Sequence, residues 1–167
     1  MKILGIAGWS GSGKTTLIRR LIPLLAGQGV GVATLKHSHH DVRVGDADSA
    51  ALLAAGAGEV LIAAPHRFAL LHDHQGRPEP SLADLTAHVA GCDLLLVEGF
   101  KFSPHPKLEV WTPESGKPPL AAADPTVVAV ACDVPLEISG RSVLARSDAA
   151  AICRWVLDFT GLARLQD

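Results

Sequence analysis

Residues 8–15 read Gly-Trp-Ser-Gly-Ser-Gly-Lys-Thr, a complete G-x-x-x-x-G-K-[ST] phosphate-binding loop. In such a loop successive backbone N–H groups wrap a polyphosphate, the lysine reaches the β- and γ-phosphates, and the hydroxyl residue meets Mg²⁺. These residue types point to capture of a nucleoside triphosphate. Gly8, Gly11, Ser12, Gly13, Lys14, Thr15 and Thr16 are the candidate phosphate ligands, and Thr15 is a candidate metal ligand. Gly8 and Gly13 admit backbone conformations and a close phosphate approach that a Cβ would block.

A metal shared with the phosphates needs a carboxylate at the end of another buried strand. Two acids flank the apolar run Leu94–Val97. Asp93 precedes the run and falls about 15 Å away at the opposite edge, at about 3.3 Å per strand residue. Glu98 follows it on the phosphate side, and is the candidate to bind the metal directly, to contact it through water, or to orient an attacking water. Lys36 and Lys101 leave two readings open: positive charge brought to the same edge, or exposed lysines at the surface. His37, His39 and His40 with Asp41 leave three readings open: a divalent metal site, a phosphate or substrate contact, or a solvated loop. Asp133, just past the run Val127–Ala131, is placed to accept N–H bonds from a guanine edge, or to serve a turn before Pro135. Asp73-His-Gln-Gly76 has the D-x-x-G form of a GTPase switch but reads better as a turn, and no N-K-x-D or T-K-x-D guanine motif occurs.

The elements that must position these residues alternate. Lys2–Ala7 is an apolar strand that delivers the loop, and Leu17, Ile18, Leu21, Leu24 and Leu25 give the following segment, 14–26, helical spacing. Val30–Leu35 reads as a strand parallel to the first. A helix over about 49–55 comes next, then a hairpin of 59–63 and 67–71 around Pro65, and a helix from Ser81 to about Ala90 with Ser81 and Asp84 in a capping arrangement. The run Leu94–Val97 has no polar alternation, as expected for a central strand covered on both faces. Strands at 107–111 and 127–131 follow, with loops at 103–106, 113–119 and 133–140, and Ser147 or Asp148 opens a terminal helix. This order implies one α/β domain over 1–167, a three-layer P-loop NTPase-like fold with a mostly parallel central sheet. Ligands in such sheets gather at the carboxyl ends of the strands.

The 167 residues suit a single domain of ordinary size. A net charge of −2 and a pI near 6.4 provide no basic field for a nucleic-acid backbone. Cys92, Cys132 and Cys153 are distant from one another and form no C-x-x-C pair, which suits a reducing cytoplasm. The N-terminus passes directly into strand and loop without a signal sequence, and no apolar stretch reaches the roughly eighteen residues needed to span a bilayer. The expectation is a cytoplasmic protein with neither nucleic acid nor membrane as partner.

Several segments in order, the loop at 8–15, Leu35-Lys-His-Ser-His-His-Asp41, Asp48-Ser49, Ala55-Gly-Ala57, Arg67-Phe-Ala-Leu70, Leu96-Val-Glu-Gly-Phe-Lys101 and Ala129-Val-Ala-Cys-Asp-Val-Pro-Leu136, resemble the MobB-type molybdopterin-guanine dinucleotide biosynthesis adapter proteins. The resemblance spans nearly the whole chain. K-H-x-H-H-D together with V-E-G-F-K is its specific part. It implies a GTP-binding, weakly hydrolysing homodimer that assists the molybdenum cofactor guanylyltransferase in attaching GMP to molybdopterin. Residue by residue, the loop would hold the triphosphate of GTP, Thr15 and Glu98 would serve Mg²⁺, and the 37–41 segment with Lys101 would line the adjacent cleft. The chain departs from the family's pattern at 42–47, which is shorter, and at Ala51, where a charged residue is common. Two other readings compete: a small-molecule kinase using ATP, for which Arg141 and Arg146 are the nearest lid arginines, and a metal-insertion GTPase using His37, His39 and His40.

Overall fold

The computed structural model describes residues 1–38, 42 and 47–163. The chain packs as two compact units, Met1–His37 with Thr86–Asp167, and Ser38–Leu85, the second being inserted in sequence between two strands of the first.

The first unit is built on a six-stranded sheet. In chain order its strands are β1 (Lys2–Ala7), β2 (Val32–Lys36), β5 (Leu94–Glu98), β6 (Lys107–Val110), β7 (Val127–Ala131) and β8 (Ser142–Leu144), arranged β2-β5-β1-β6-β7-β8. Every pairing in it is parallel. The α/β class and the mostly parallel sheet are therefore as the sequence implies. β5 sits between β1 and β2, and Leu94–Val97 are fully buried, which is why the run shows no polar alternation. Two helices, α1 (Lys14–Gly27) and α4 (Ala149–Thr160), share one core with the sheet: Leu17, Leu21 and Leu25 of α1 and Ile152 and Val156 of α4 pack with Leu4, Ile6, Leu96 and Leu108. Arg19 and Arg20 of α1 stay exposed. Asp148 caps α4 by accepting from the Ala151 N–H at 2.9 Å, and Gly161 closes the helix in the left-handed region.

β6 departs from a simple alternation. Leu108 and Val110 join the helix-side core, yet Lys107 and Glu109 are also fully buried. Lys107 Nζ donates to Ser103 O at 2.6 Å and to Thr126 Oγ1, and lies 3.3 Å from Asp124 Oδ2. The Glu109 carboxylate accepts the N–H groups of Leu120 (2.7 Å) and Ala121 (2.9 Å), so it caps the 3-10 turn Leu120–Ala122. Burial pushes the Glu109 carboxyl above its usual range, opposed by those two N–H groups. Each buried charge thus has the partners that burial demands.

The second unit holds α2 (Ala47–Ala54) and an antiparallel hairpin of β3 (Glu59–Ala64) and β4 (Arg67–His72). The expected hairpin is present. Asp73 Oδ1 accepts the Gln75 N–H at 2.7 Å, and Gln75 and Gly76 both have positive φ, so the D-x-x-G segment is a turn. Ser81 and Asp84 bond as a capping pair, Ser81 N and Oγ donating to Asp84 Oδ2 at 2.9 and 2.7 Å. The helix they start, α3 (Leu82–Thr86), stops short of Ala90, because the chain turns at Thr86–Val89 and again at Gly91. The short strand β8 and the 3-10 turns at Pro113–Ser115 and Leu120–Ala122 were not expected from the sequence.

Candidate functional site

β1 runs into the loop through Ala7, and the chain turns at Gly8 with φ +137°. A Cβ there would come within 2.3 Å of Val110 O and 2.8 Å of Ser12 Oγ, so only glycine lets the loop leave the sheet on this path. Within the loop Ser12 N–H donates to Trp9 O at 3.2 Å. The amides of Gly11, Gly13, Lys14, Thr15 and Thr16 have no acceptor among the described residues, and helix bonding begins with Leu17 N–H to Gly13 O. Five such donors at a helix N-terminus form a cradle suited to phosphate oxygens. Ser12 is 1% exposed, and its Oγ also lacks a partner among the described residues.

Lys14 folds over the loop, donating to Gly8 O (3.1 Å) and Trp9 O (2.9 Å). Partial burial holds its ammonium pKa below the usual lysine value; Glu98 opposes the shift, and Lys101 and Lys36 add to it. An anion placed on the loop would reverse that shift.

Glu98 emerges on the same rim. Thr15 Oγ1 donates to both of its carboxylate oxygens, at 2.8 and 2.9 Å, and Lys36 Nζ lies 3.8 Å from Oε1. Strand register explains the meeting, since Glu98 is level with Ile6 of β1 and Lys36 of β2. Asp93 lies at the other end of β5, accepting the Gly31 N–H at 2.8 Å. A hydroxyl and a carboxylate beside a phosphate cradle are oxygen donors of the kind Mg²⁺ takes when it also binds substrate phosphates, so the residues fit that ion. His37 N–H donates to Glu98 O, and the His37 ring lies 4.8 Å from Phe100. Gly99, with φ +100°, makes room for them: a Cβ would meet His37 Cβ at 2.7 Å. Gly99→Ala is expected to lower stability by about 1–3 kcal/mol through strain and overpacking, read as a fall in the chemical unfolding midpoint.

Asp133 joins the loop indirectly. Its carboxylate accepts Ser147 N–H at 2.8 Å and Arg146 Nε at 3.1 Å, and Arg146 Nη1 reaches Ser12 O at 3.4 Å. The Ser147 N–H, helped by Arg146, holds the Asp133 carboxyl below its usual range. Each oxygen keeps acceptor capacity beyond its one donor. Lys101 lies with its ammonium 4.6 Å from the Trp9 ring centroid. Trp9 is a rim residue that sequence reasoning did not assign to the site, and Arg146, considered there only as a kinase-lid arginine, instead bonds Asp133 and Ser12 O. His39, His40 and Asp41 lie outside the described residues, and among the described residues no group of three or more His, Cys, Asp or Glu could hold a metal ion.

A family model described as "MobB: Molybdopterin guanine dinucleotide synthesis protein B" matches residues 3–133. The chain belongs to the MobB family. Two MobB-type relatives, each named molybdopterin-guanine dinucleotide biosynthesis adapter protein, come from Haemophilus influenzae (42% identical, covering 81% of this chain and 77% of the relative) and Escherichia coli strain K12 (38% identical, 81% of each). A crystal structure of molybdopterin-guanine biosynthesis protein B superimposes with a TM-score of 0.74 at 29% identity, over 94% of this chain and 99% of its own. A MobB homologue from Bacillus stearothermophilus gives 0.73 at 25% identity, over 97% and 99%. The MobB match includes the phosphate loop, Lys36, His37, Glu98, Lys101 and Asp133; Arg146 lies beyond it. Among the described residues no helix is long and apolar enough to cross a membrane.

Proposed function

We propose that this MobB-family protein is a GTP-binding adapter of molybdopterin-guanine dinucleotide biosynthesis, acting in the cytoplasm beside the molybdenum cofactor guanylyltransferase and its molybdopterin substrate. The observation that carries the reading is the meeting of Thr15 with Glu98 beside five amides that have no acceptor among the described residues. The loop amides and Lys14 would hold the triphosphate, Thr15 and Glu98 would hold Mg²⁺, and Lys36 and His37 would line the rim. Mg²⁺ would supply charge neutralisation between the phosphate oxygens. Asp133, oriented by Ser147 and Arg146, is the candidate acceptor for the guanine edge. Hydrolysis would be slow: Arg146 is bonded to Asp133 and Ser12 O, and stabilisation of charge on a transferring phosphoryl group needs a cation aimed at that group. The same bonding argues against Arg146 as a kinase lid residue.

The adapter would act as a homodimer. The hairpin supports this, because Leu61 opposes Leu70 and Ala63 opposes Phe68 on one face, with Leu61, Phe68 and Leu70 exposed by 64%, 75% and 43%. α2 packs against β3 and Val60 is buried, so the exposed apolar patch is left to the other face, where a partner would cover it. Phe68→Glu is expected to shift sedimentation from dimer to monomer; a wild-type monomer at the same concentration would sink this part of the reading.

Competition of GTP with ATP, with and without Mg²⁺, tests the nucleotide assignment. GTP is expected to bind at least about tenfold more tightly, a discrimination of about 1.4 kcal/mol. Equal affinity, together with transfer of labelled γ-phosphate to a small molecule, would favour the kinase reading.

A further inference from the structure

Beside the phosphate loop, two ammonium groups gather on one indole. Lys101 Nζ lies 4.6 Å and Lys117 Nζ 4.4 Å from the Trp9 ring centroid, and neither lysine has a carboxylate partner among the described residues. Both approaches are cation–π contacts, which hold the charges without neutralising them. The arrangement is built by the surrounding chain. Trp9 Nε1 donates to Pro118 O at 2.9 Å, Trp111 Nε1 donates to Lys117 O at 2.9 Å, and Lys117 N–H donates to Ser115 Oγ at 3.3 Å. The 3-10 turn Pro113–Ser115, closed by Gly116 in the left-handed region, thereby presents Lys117 to the ring. On the other side Lys101 lies 5.1 Å from the Phe102 ring, and Phe102 is 88% exposed.

We propose that Lys101 and Lys117, held on Trp9, form a second anion subsite that takes the phosphate monoester of a planar heterocyclic substrate while the nucleotide occupies the loop, with Phe102 offering a face for the heterocycle. The inference rests on the nucleotide-binding reading and adds to it the place of the second substrate. Charge favours two subsites over one. The triphosphate would already meet Lys14, five amides, the helix N-terminus and a divalent ion, and Lys36 is matched by Glu98. The ammonium groups of Lys101 and Lys117 remain without a carboxylate among the described residues. A phosphate monoester, at about −1.5 to −2 near pH 7, balances them. An aromatic face as exposed as that of Phe102 is a stacking surface for a flat ring.

Flavin mononucleotide is a suitable probe, carrying a pteridine-fused ring and a phosphate monoester; riboflavin is the same ring system without the phosphate. Binding is read by fluorescence anisotropy, with and without Mg²⁺ and a saturating non-hydrolysable GTP analogue whose own affinity is measured calorimetrically. Flavin mononucleotide is expected to bind in both conditions, at least about tenfold more tightly than riboflavin, since charge-assisted phosphate contacts are the strong ones. Lys117→Ala is expected to weaken it about tenfold, and Phe102→Ala severalfold, with the affinity for the GTP analogue unchanged in both variants. Displacement of the probe by the GTP analogue would overturn the proposal by assigning the lysines to the nucleotide. No binding, or binding indifferent to Lys117→Ala, would also overturn it. Failure of the GTP analogue to bind, with the probe still held, would instead remove the nucleotide reading and leave the anion subsite standing.

Discussion

Lys14→Ala is expected to weaken Mg²⁺–GTP binding by on the order of 100-fold, because charge-assisted hydrogen bonds contribute about 1.5–3 kcal/mol each and tenfold in affinity is about 1.4 kcal/mol. Lys14 is the loop's cation, lying across Gly8 O and Trp9 O and lowered in pKa by partial burial. On binding, the ammonium exchanges two carbonyl partners for phosphate oxygens. Removing it leaves the glycine turns and the amides in place, so the unfolding temperature should hardly move. Calorimetric titration of the variant checks both the affinity and, in the same sample, the folded fraction. Wild-type affinity in a folded Lys14→Ala protein would remove the mechanism.

Glu98→Gln separates the metal from the phosphates. The amide keeps the shape and an oxygen acceptor for Thr15, whose hydroxyl now bonds both carboxylate oxygens, but it removes the charge that a hard cation seeks. The gain in GTP affinity on adding Mg²⁺ is expected to fall about tenfold, on the scale of one charge-assisted contact. In EDTA the sign reverses: the carboxylate repels the triphosphate, so the variant should bind GTP at least as tightly as wild type. A full Mg²⁺ response in Glu98→Gln would show that the ion is held elsewhere.

The residues legible in the sequence were those whose role is local. The loop, its strand and its helix follow one another without interruption, and β5 reads as buried because its apolar run is unbroken. Glu98 could be separated from Asp93 by counting residues along a strand, and the register of β5 with β1 and β2 puts it where that count implied. What was illegible depends on distant chain. Lys107 and Glu109 alternate with apolar residues and so resemble the wet face of a strand. Their burial becomes affordable only when Asp124, Thr126 and the amides of Leu120 and Ala121 fold over them. β8 is three residues at a sheet edge, too short to show a period, and missing it hid how Arg146 is carried to Asp133 and Ser12. Lys117 sits in a Pro/Gly loop whose residues carry no sign of the indole they approach. α3 shows the reverse error: its capping pair was legible, but the pair marks a start and says little about length.

The central claim is that five main-chain N–H groups between Gly11 and Thr16 receive the phosphates of a nucleotide. Amide chemical shifts of isotopically labelled protein, recorded with and without Mg²⁺–GTP, test it directly. The account predicts that the largest shifts, with slowed amide exchange, fall on Gly11, Gly13, Lys14, Thr15 and Thr16, and that Lys14→Ala requires on the order of 100-fold more nucleotide to produce those of the remaining amides. Saturating nucleotide that moved other amides while leaving these five unchanged would contradict it.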